Sequence, residues 1–307
     1  MTVAPVLVTG AAGGIQGSTG FHVTRLLRDR GHPVRAFVHR LDDRSDRLRA
    51  LGADVVDGDL RDFRSVRAAM GGIRRAYFAY PVQEGLLEAT ATFAAVARLA
   101  GVEQVVNLSQ WLQPSGEQPT PHQARHWLAE RIFDWADVGA VHLDATVFYE
   151  NLRTWALISL ARDGVFAMPW GPEDTAIPMV GAEDVARVAA AVLTGPAQPS
   201  GTVIRLMAGG VTNKEIVETF GQILGRSVDY VEISEEQWAS AVLAIGVDAV
   251  AVEHLTHLWR FLRTLPREYQ AFYHVTDAFE RFTGEPPRSL ADFLQEHKDL
   301  FAASVPR

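Results

Sequence analysis

Four glycines, Gly10, Gly13, Gly14 and Gly17, follow directly on the apolar run Val6-Leu-Val8. Glycines so placed let a backbone turn sharply and lie close to a ligand. Where a helix starts beside them, its unpaired N–H groups and dipole favour a phosphate. The run before them is apolar without alternation, as a central parallel strand covered on both faces requires. After them Phe21, Val23, Leu26 and Leu27 form a helical apolar stripe. Strand, glycine turn and helix together read as a dinucleotide-binding unit. The spacing departs from G-x-x-G-x-x-G, because Gln16 holds the third position and the glycine follows at Gly17. A loop at least one residue longer is therefore expected, with Gly10, Gly13, Gly14, Gln16 and Gly17 around the pyrophosphate.

A second set of residues can move protons. Ser109, His122, His126 and Tyr149 all fall at or beyond the ends of predicted strands. Hydride transfer needs a donor for the oxygen on which charge develops. His126 is favoured, since its ordinary pKa near neutrality lets it give and take a proton, and Tyr149 is the second choice. His122 and His126 also share the i, i+4 spacing of metal ligands, but no third ligand accompanies them and no metal is expected. Trp111 is read as a wall of the substrate pocket, Asn151 as shaping the nicotinamide pocket, and His254 and His257 as surface residues.

Residue types that are absent narrow the chemistry. The chain has no cysteine, which excludes disulfides, thiolate nucleophiles and zinc-thiolate sites. Its only lysines are Lys214 and Lys298, so a Tyr-x-x-x-Lys catalytic pair is impossible in the cofactor-binding region. Neither a Gly-x-Ser-x-Gly elbow nor a Walker loop occurs.

The elements that must position these groups alternate at βαβ spacing. Strands are predicted at Val6–Val8, Pro33–Val38, Ala53–Asp59, Ala76–Tyr80, Gln104–Ser109 and His142–Phe148. Helices are predicted at Asp46–Leu51, Arg61–Met70, Leu86–Ala100 and from Pro121. The pattern implies an α/β fold, a Rossmann-type doubly wound parallel sheet with a smaller, mostly helical C-terminal lobe. The end of the second strand lies beside the adenosine ribose, where an arginine accommodates the 2′-phosphate of NADP. Arg40 occupies it, with Arg44 nearby, so NADP(H) is preferred and NAD(H) is the alternative. Asp59 and Leu60 would flank the adenine, and Tyr80 and Ser109 the nicotinamide half. Residues 1–152 form the dinucleotide-binding domain, to which 182–207 return, with a strand at Val203–Met207 on the sheet edge. Residues 153–307 form the lobe, with helices at Ala182–Leu193, Thr212–Leu224, Trp238–Ile245, Ala249–Leu262 and Ser289–Phe301. Thr212 with Glu215 and Ser234 with Gln237 are capping boxes.

Of 307 residues, 48% are hydrophobic, which is ample for a core, and the net charge of −8 argues against nucleic-acid binding. Between His22 and Arg49, however, eight arginines face four aspartates, a basic island next to the glycine loop. No apolar run approaches a membrane span and no signal-peptide pattern precedes the first strand, so a cytoplasmic location without membrane contact is expected.

The chain resembles the NmrA-like family of atypical short-chain dehydrogenase/reductases. The matching segments are Val8-Thr-Gly-Ala-Ala-Gly13 with Gln16-Gly17, Arg40, Val56-Asp-Gly-Asp59, Phe148-Tyr-Glu-Asn-Leu152, Ile177-Pro-Met179, Asp184-Val185 and Gly284-Glu-Pro-Pro-Arg-Ser-Leu-Ala-Asp-Phe293. The resemblance implies an NADPH-dependent reductase of a quinone, enone or other carbonyl-type small molecule, acting as a monomer or homodimer. The family also contains redox sensors that bind NADP and work through protein partners, which is the alternative. Active relatives often carry a lysine on the helix after the fifth strand, and His126 stands at that position.

Overall fold

The computed structural model describes residues 3–14, 17–113 and 116–303, with backbone only at 156–158, 161–163 and 303. In chain order the first half runs β1 (Val6–Val8), α1 (Thr19–Asp29), β2 (Val34–Val38), α2 (Asp43–Ala50), β3 (Asp54–Asp57), α3 (Phe63–Ala69), β4 (Arg75–Phe78), α4 (Leu86–Ala100), β5 (Gln104–Gln110), α5 (Pro121–Ala136) and β6 (Ala140–Ala145). Then follow β7 (Val147–Phe148), α6 (Asn151–Asp163), β8 (Phe166–Met168), β9 (Ala176–Val180), α7 (Ala182–Thr194), β10 (Thr202–Leu206), β11 (Gly209–Thr212), α8 (Asn213–Leu224) and β12 (Tyr230–Glu232). Helices α9 (Glu235–Ala244), α10 (Ala249–Thr264), α11 (Ala278–Thr283), α12 (Leu290–Glu296) and α13 (Lys298–Ala303) end the chain, with a 3-10 turn at Arg267–Phe272 after α10.

Seven strands form one parallel sheet in the order β10-β6-β5-β4-β1-β2-β3. The order reverses between β1 and β4, and that crevice is where open α/β sheets bind ligands. One face is covered by α1 and α7, whose Val23, Leu27, Val185 and Ala189 pack on Val8, Val106 and Leu143. The other is covered by α3, α4 and α5, where Phe93 and Phe133 meet Phe78. Thr9 ties the crevice together: its Oγ1 donates to Ala79 O at 3.0 Å and accepts from Ala79 N at 2.8 Å.

The strand returning to the sheet is β10, paired in parallel with β6. Its register sets Arg205 beside Asp144, and Asp144 in turn lies beside Ser109 of β5. Three neighbouring strands thus carry polar residues on the α5 face, because register partners in a sheet share a face.

Beyond β6 the local expectations need amendment. The sixth strand stops at Ala145, and Val147–Phe148 joins a separate sheet of order β11-β9-β7, while β12 and β8 form a third. The lobe is therefore less purely helical than its apolar runs imply. Its core gathers Trp155, Trp170, Trp238 and Trp259, whose rings meet edge to face, Trp155 and Trp259 at 5.0 Å. Helix α2 begins at Asp43 rather than Asp46, because Asp42 accepts from Arg44 N at 3.0 Å and Ser45 closes a capping box. The last expected helix is broken between α12 and α13 at His297. Both lobe capping boxes form as expected, from Thr212 to Glu215 and from Ser234 to Gln237.

Helix and strand pack tightly where α1 starts. A Cβ on Gly20 would sit 2.5 Å from Gly10 O and 2.6 Å from Thr9 O, both backbone atoms with no room to move. At Gly14 a Cβ would meet nothing within 4 Å among the described residues. Gly20→Ala is expected to lower stability by about 1–3 kcal/mol, at the upper end because backbone must shift. Gly14→Ala should leave the urea midpoint almost unchanged, and equilibrium urea unfolding of both variants checks the contrast.

Candidate functional site

A cavity of about 1120 Å³ opens along the carboxyl ends of the sheet strands. Drug-sized ligands occupy pockets of about 300–1,000 Å³, so there is room here for an extended ligand. One end is the loop Gly10–Gly14 with Ser18 and Thr19, the floor is made by residues following β2, β3, β4 and β5, and the lobe forms the roof.

At the loop, Gly10 and Gly13 have φ of +62° and +71°, values that favour glycine. The loop is closed from within: Ser18 Oγ donates to Gly14 O at 2.8 Å, and Gly13 N donates to Gly10 O at 3.1 Å. Helix α1 starts only at Thr19, so the loop is longer than one extra residue requires. Gly17 does not line the cavity; a Cβ there would lie 3.0 Å from the Phe148 ring, so its smallness serves loop packing. Gln16 lies outside the described residues. The sequence reading missed Gly20, although the third fingerprint glycine serves this same close packing of helix on strand.

At the rim after β2, Arg40 lines the cavity, is exposed and has no hydrogen bond or ion pair among the described residues. Arg44 also lines it, but is held by Asp42 at 2.6 Å and donates to Gly13 O at 3.3 Å. Asp42 is thus occupied by the helix cap and by Arg44. After β3, Asp59 and Leu60 line the cavity, and the Arg61 guanidinium 2.7 Å from Asp59 holds that carboxyl down at about 2. Tyr80 lines the wall after β4, its hydroxyl donating to Glu84 O at 3.0 Å.

At the far end Ser109, Trp111 and His126 line the cavity together. Thr120 caps α5 by accepting from Gln123 N at 3.0 Å, and Pro121 at its first position starts it cleanly. The helix thereby presents His122, His126 and Glu130 to the interior. The His122 ring lies 4.9 Å from that of His126 and 5.2 Å from that of His254. His254 is not a surface residue: α10 buries it, its Nδ1 is 2.8 Å from Thr120 Oγ1, and it lines the cavity. Burial keeps the three imidazoles uncharged, lowering His122 to about 4, His254 to about 3 and His126 well below its ordinary value. The expected neutral-range titration of His126 therefore gives way to a neutral ring. Tyr149 does not line the cavity; its ring packs 5.6 Å from that of Phe293, and burial with the Asp184 carboxylate raises its pKa. Asn151 does line it.

Behind Ser109 lies a pair of buried carboxyls that the sequence reading gave no role. Ser109 Oγ donates to Glu130 Oε1 at 2.5 Å, and the Asp144 carboxyl lies near enough for the Glu130 charge to act on it. Burial first, and the Glu130 charge second, push Asp144 up to about 8, and burial raises Glu130. An aspartate inside the apolar run Ala140–Ala145 was the available signal.

The roof was also unassigned. Leu255, Leu258, Phe261 and Leu262 of α10, with Tyr269, Phe272 and Tyr273 beyond it, make an apolar and aromatic wall opposite Trp111. Among the described residues no cluster of three His, Cys, Asp or Glu is arranged to hold a metal, and no helix is long and apolar enough to cross a membrane.

A family model described as the NmrA-like family matches residues 3–277. An NAD(P)H azoreductase of Xenophilus azovorans is 28% identical over 301 residues, which cover 97% of this chain and all of that one. Among solved structures, the NADPH complex of an Escherichia coli quinone oxidoreductase is 20% identical with a TM-score of 0.77, covering 95% of this chain and 99% of that one. NmrA, a negative transcriptional regulator solved with NAD, is 19% identical with a TM-score of 0.79, covering 99% and 98%. At these identities the two structures establish a shared fold.

The neutral histidines have a consequence for stability. A histidine whose pKa is lowered on folding contributes fully above its unfolded value near 6.5, and that contribution is lost as pH falls toward the folded value. Both nitrogens of His122 are buried without a partner. With the folded value near 4, His122→Leu is expected to stabilise the protein at pH 5 by about 2 kcal/mol more than at pH 7.5. Urea unfolding at the two pH values, read as the difference from wild type, checks it.

Proposed function

The chain belongs to the NmrA-like family, and from that premise we propose that it is an NAD(P)H-dependent reductase of a small conjugated aromatic acceptor, a quinone, an enone or an azo compound. The observation that carries this reading is the single continuous cavity. It runs from a glycine loop at a helix start, past an unpaired arginine, to an apolar aromatic chamber floored by Ser109 and His126.

The residues present fit a nicotinamide dinucleotide. The space over Gly14 accepts backbone approach by a pyrophosphate, and the α1 N-terminus supplies the favourable field. Arg40 supports NADP(H) over NAD(H), since a guanidinium without a protein partner matches the charge of a 2′-phosphate. When bound, such a cofactor supplies hydride. The protein's task is to hold the acceptor flat against the Leu255 and Phe261 wall, exclude water and offer a proton. Ser109 and the neutral ring of His126 are the donors on the chamber floor, and Tyr149 is given no role because its ring lies in the lobe core.

A second reading, an NADP(H) sensor acting through a protein partner, draws support from the absence of any lysine in the first 213 residues and from the uncharged state of His126. Excess enzyme incubated with NADPH and a panel of quinones, enones and azo dyes separates the two. Oxidation above the enzyme-free rate is expected. Tight NADPH binding with no oxidation of any panel member would replace the reductase with the sensor.

Arg40 gives a sharper test of cofactor choice. A charge-assisted contact at an exposed rim is worth about 1–1.5 kcal/mol, so Arg40→Ala is expected to weaken NADPH binding about tenfold and leave NADH within about twofold. Fluorescence titration with both cofactors measures the ratio.

A further inference from the structure

We propose that Asp144 and Glu130 hold a proton in reserve behind Ser109, and that Ser109 hands this proton to the reduced substrate in the cavity. The inference rests on the reductase reading and adds to it the source of the proton.

The geometry is set by the sheet. Register places Asp144 of β6 directly beside Ser109 of β5, and α5 brings Glu130 onto Ser109. Ser109 Oγ and Glu130 Oε1 are 2.5 Å apart, the short separation of a hydroxyl bonded to a carboxyl group. Glu130 and Asp144 are each 3% exposed, so both carboxyls are desolvated. Two adjacent buried carboxyls are held back from ionising together at neutral pH, so the pair keeps a proton there and gives up the second only at a cost.

The surrounding charges leave that proton in place. From α5, Arg131 reaches Glu130 Oε2 at 3.3 Å but is shared with Asp134 at 3.0 Å. From β6, His142 faces Asp134 at 3.1 Å and Asn107 at 3.2 Å. From β10, Arg205 is exposed and stacks on Trp111 at 5.2 Å. His126, one turn before Glu130, is uncharged. Asp144 Oδ1 is buried without a partner. A purely structural bond to Ser109 would need one acceptor, and a single amide would provide it at lower cost than two buried acids.

The hand-off balances. The acceptor gains an electron pair with the hydride of a reduced nicotinamide, which leaves negative charge on its oxygen or nitrogen. The Ser109 O–H bond breaks as that atom takes the proton. Ser109 regains a proton from Glu130 and Glu130 from Asp144. The pair is left with two negative charges until one proton returns from water, and no protein group is oxidised or reduced. Ser109 is the catalytic residue here, and Glu130 and Asp144 are positioning residues acting through it.

Two measurements test this. In cofactor-free protein, infrared spectroscopy should show a protonated-carboxyl band at pH 7 that fades as pH passes about 8 and is missing in Asp144→Asn. Wild type without the band overturns the proposal whatever its activity. In single-turnover NADPH oxidation with the panel acceptor that wild type reduces fastest, Asp144→Asn is expected to slow the reaction about 100-fold, as loss of a general acid does. It should also abolish the fall in rate above pH 8. Asp144→Glu should restore both, and Ser109→Ala combined with Asp144→Asn should be no slower than the slower single variant. Unchanged NADPH affinity in every variant excludes misfolding as the cause. An Asp144→Asn protein with wild-type rate and pH profile overturns the hand-off. A wild type that shows the band but reduces no acceptor overturns the reductase reading, and the hand-off falls with it.

Discussion

The first turn of α1 lies so close to the end of β1 that only hydrogen fits at Gly20, with the carbonyls of Gly10 and Thr9 where a methyl would be. That contact fixes where the helix starts, and with it the direction of the α1 dipole. It also leaves Gly10–Gly14 as part of the cavity lining. The same crevice is braced across the sheet by Thr9 and Ala79. The placement of the glycine loop at the cavity is thus a by-product of helix–strand packing, made possible by Gly20, which does not line the cavity itself.

Helix α5 is the second organising element, because what it buries decides which groups carry charge. Its inward face sets two histidines and a glutamate against the sheet, where desolvation disfavours every ionised form. The imidazoles respond by staying neutral, and the glutamate pKa is pushed up. These opposite shifts share one cause, and of these α5 groups His126 reaches the cavity. The roof is apolar for a related reason: α10 packs on the lobe core through Val252 and Trp259, while its Leu255, Leu258, Phe261 and Leu262 line the cavity over a wide apolar arc.

The lobe is joined to the sheet by carboxylates placed at helix starts. Glu150 accepts from Ala182 N with both oxygens, at 3.1 and 3.0 Å, and so anchors the α6 entry to the first turn of α7. Asp184, fully buried, bonds Arg187 at 2.9 Å and the Arg288 backbone at 3.2 Å, drawing the tail onto the same helix. Segments far apart in sequence thereby converge beside Gly17, whose own contacts are Phe148 and Ala182.

The amino-acid sequence by itself determined what depends on neighbours along the chain. The apolar run before the glycines, the alternation of strands and helices, the capping boxes at Thr212 and Ser234, and the arginine at the end of β2 are local signals, and each stands where its spacing implied. Tertiary structure decided the rest. His254 left the surface for the cavity because α10 folds over α5, and Tyr149 left the cavity because β7 turns away from the sheet. Asp144 became the neighbour of Ser109 through strand register, a relation between residues 35 positions apart. Ionisation is the clearest case: the sequence supplies the histidines and acids, but desolvation sets their charge, and desolvation belongs to packing, which no local pattern contains.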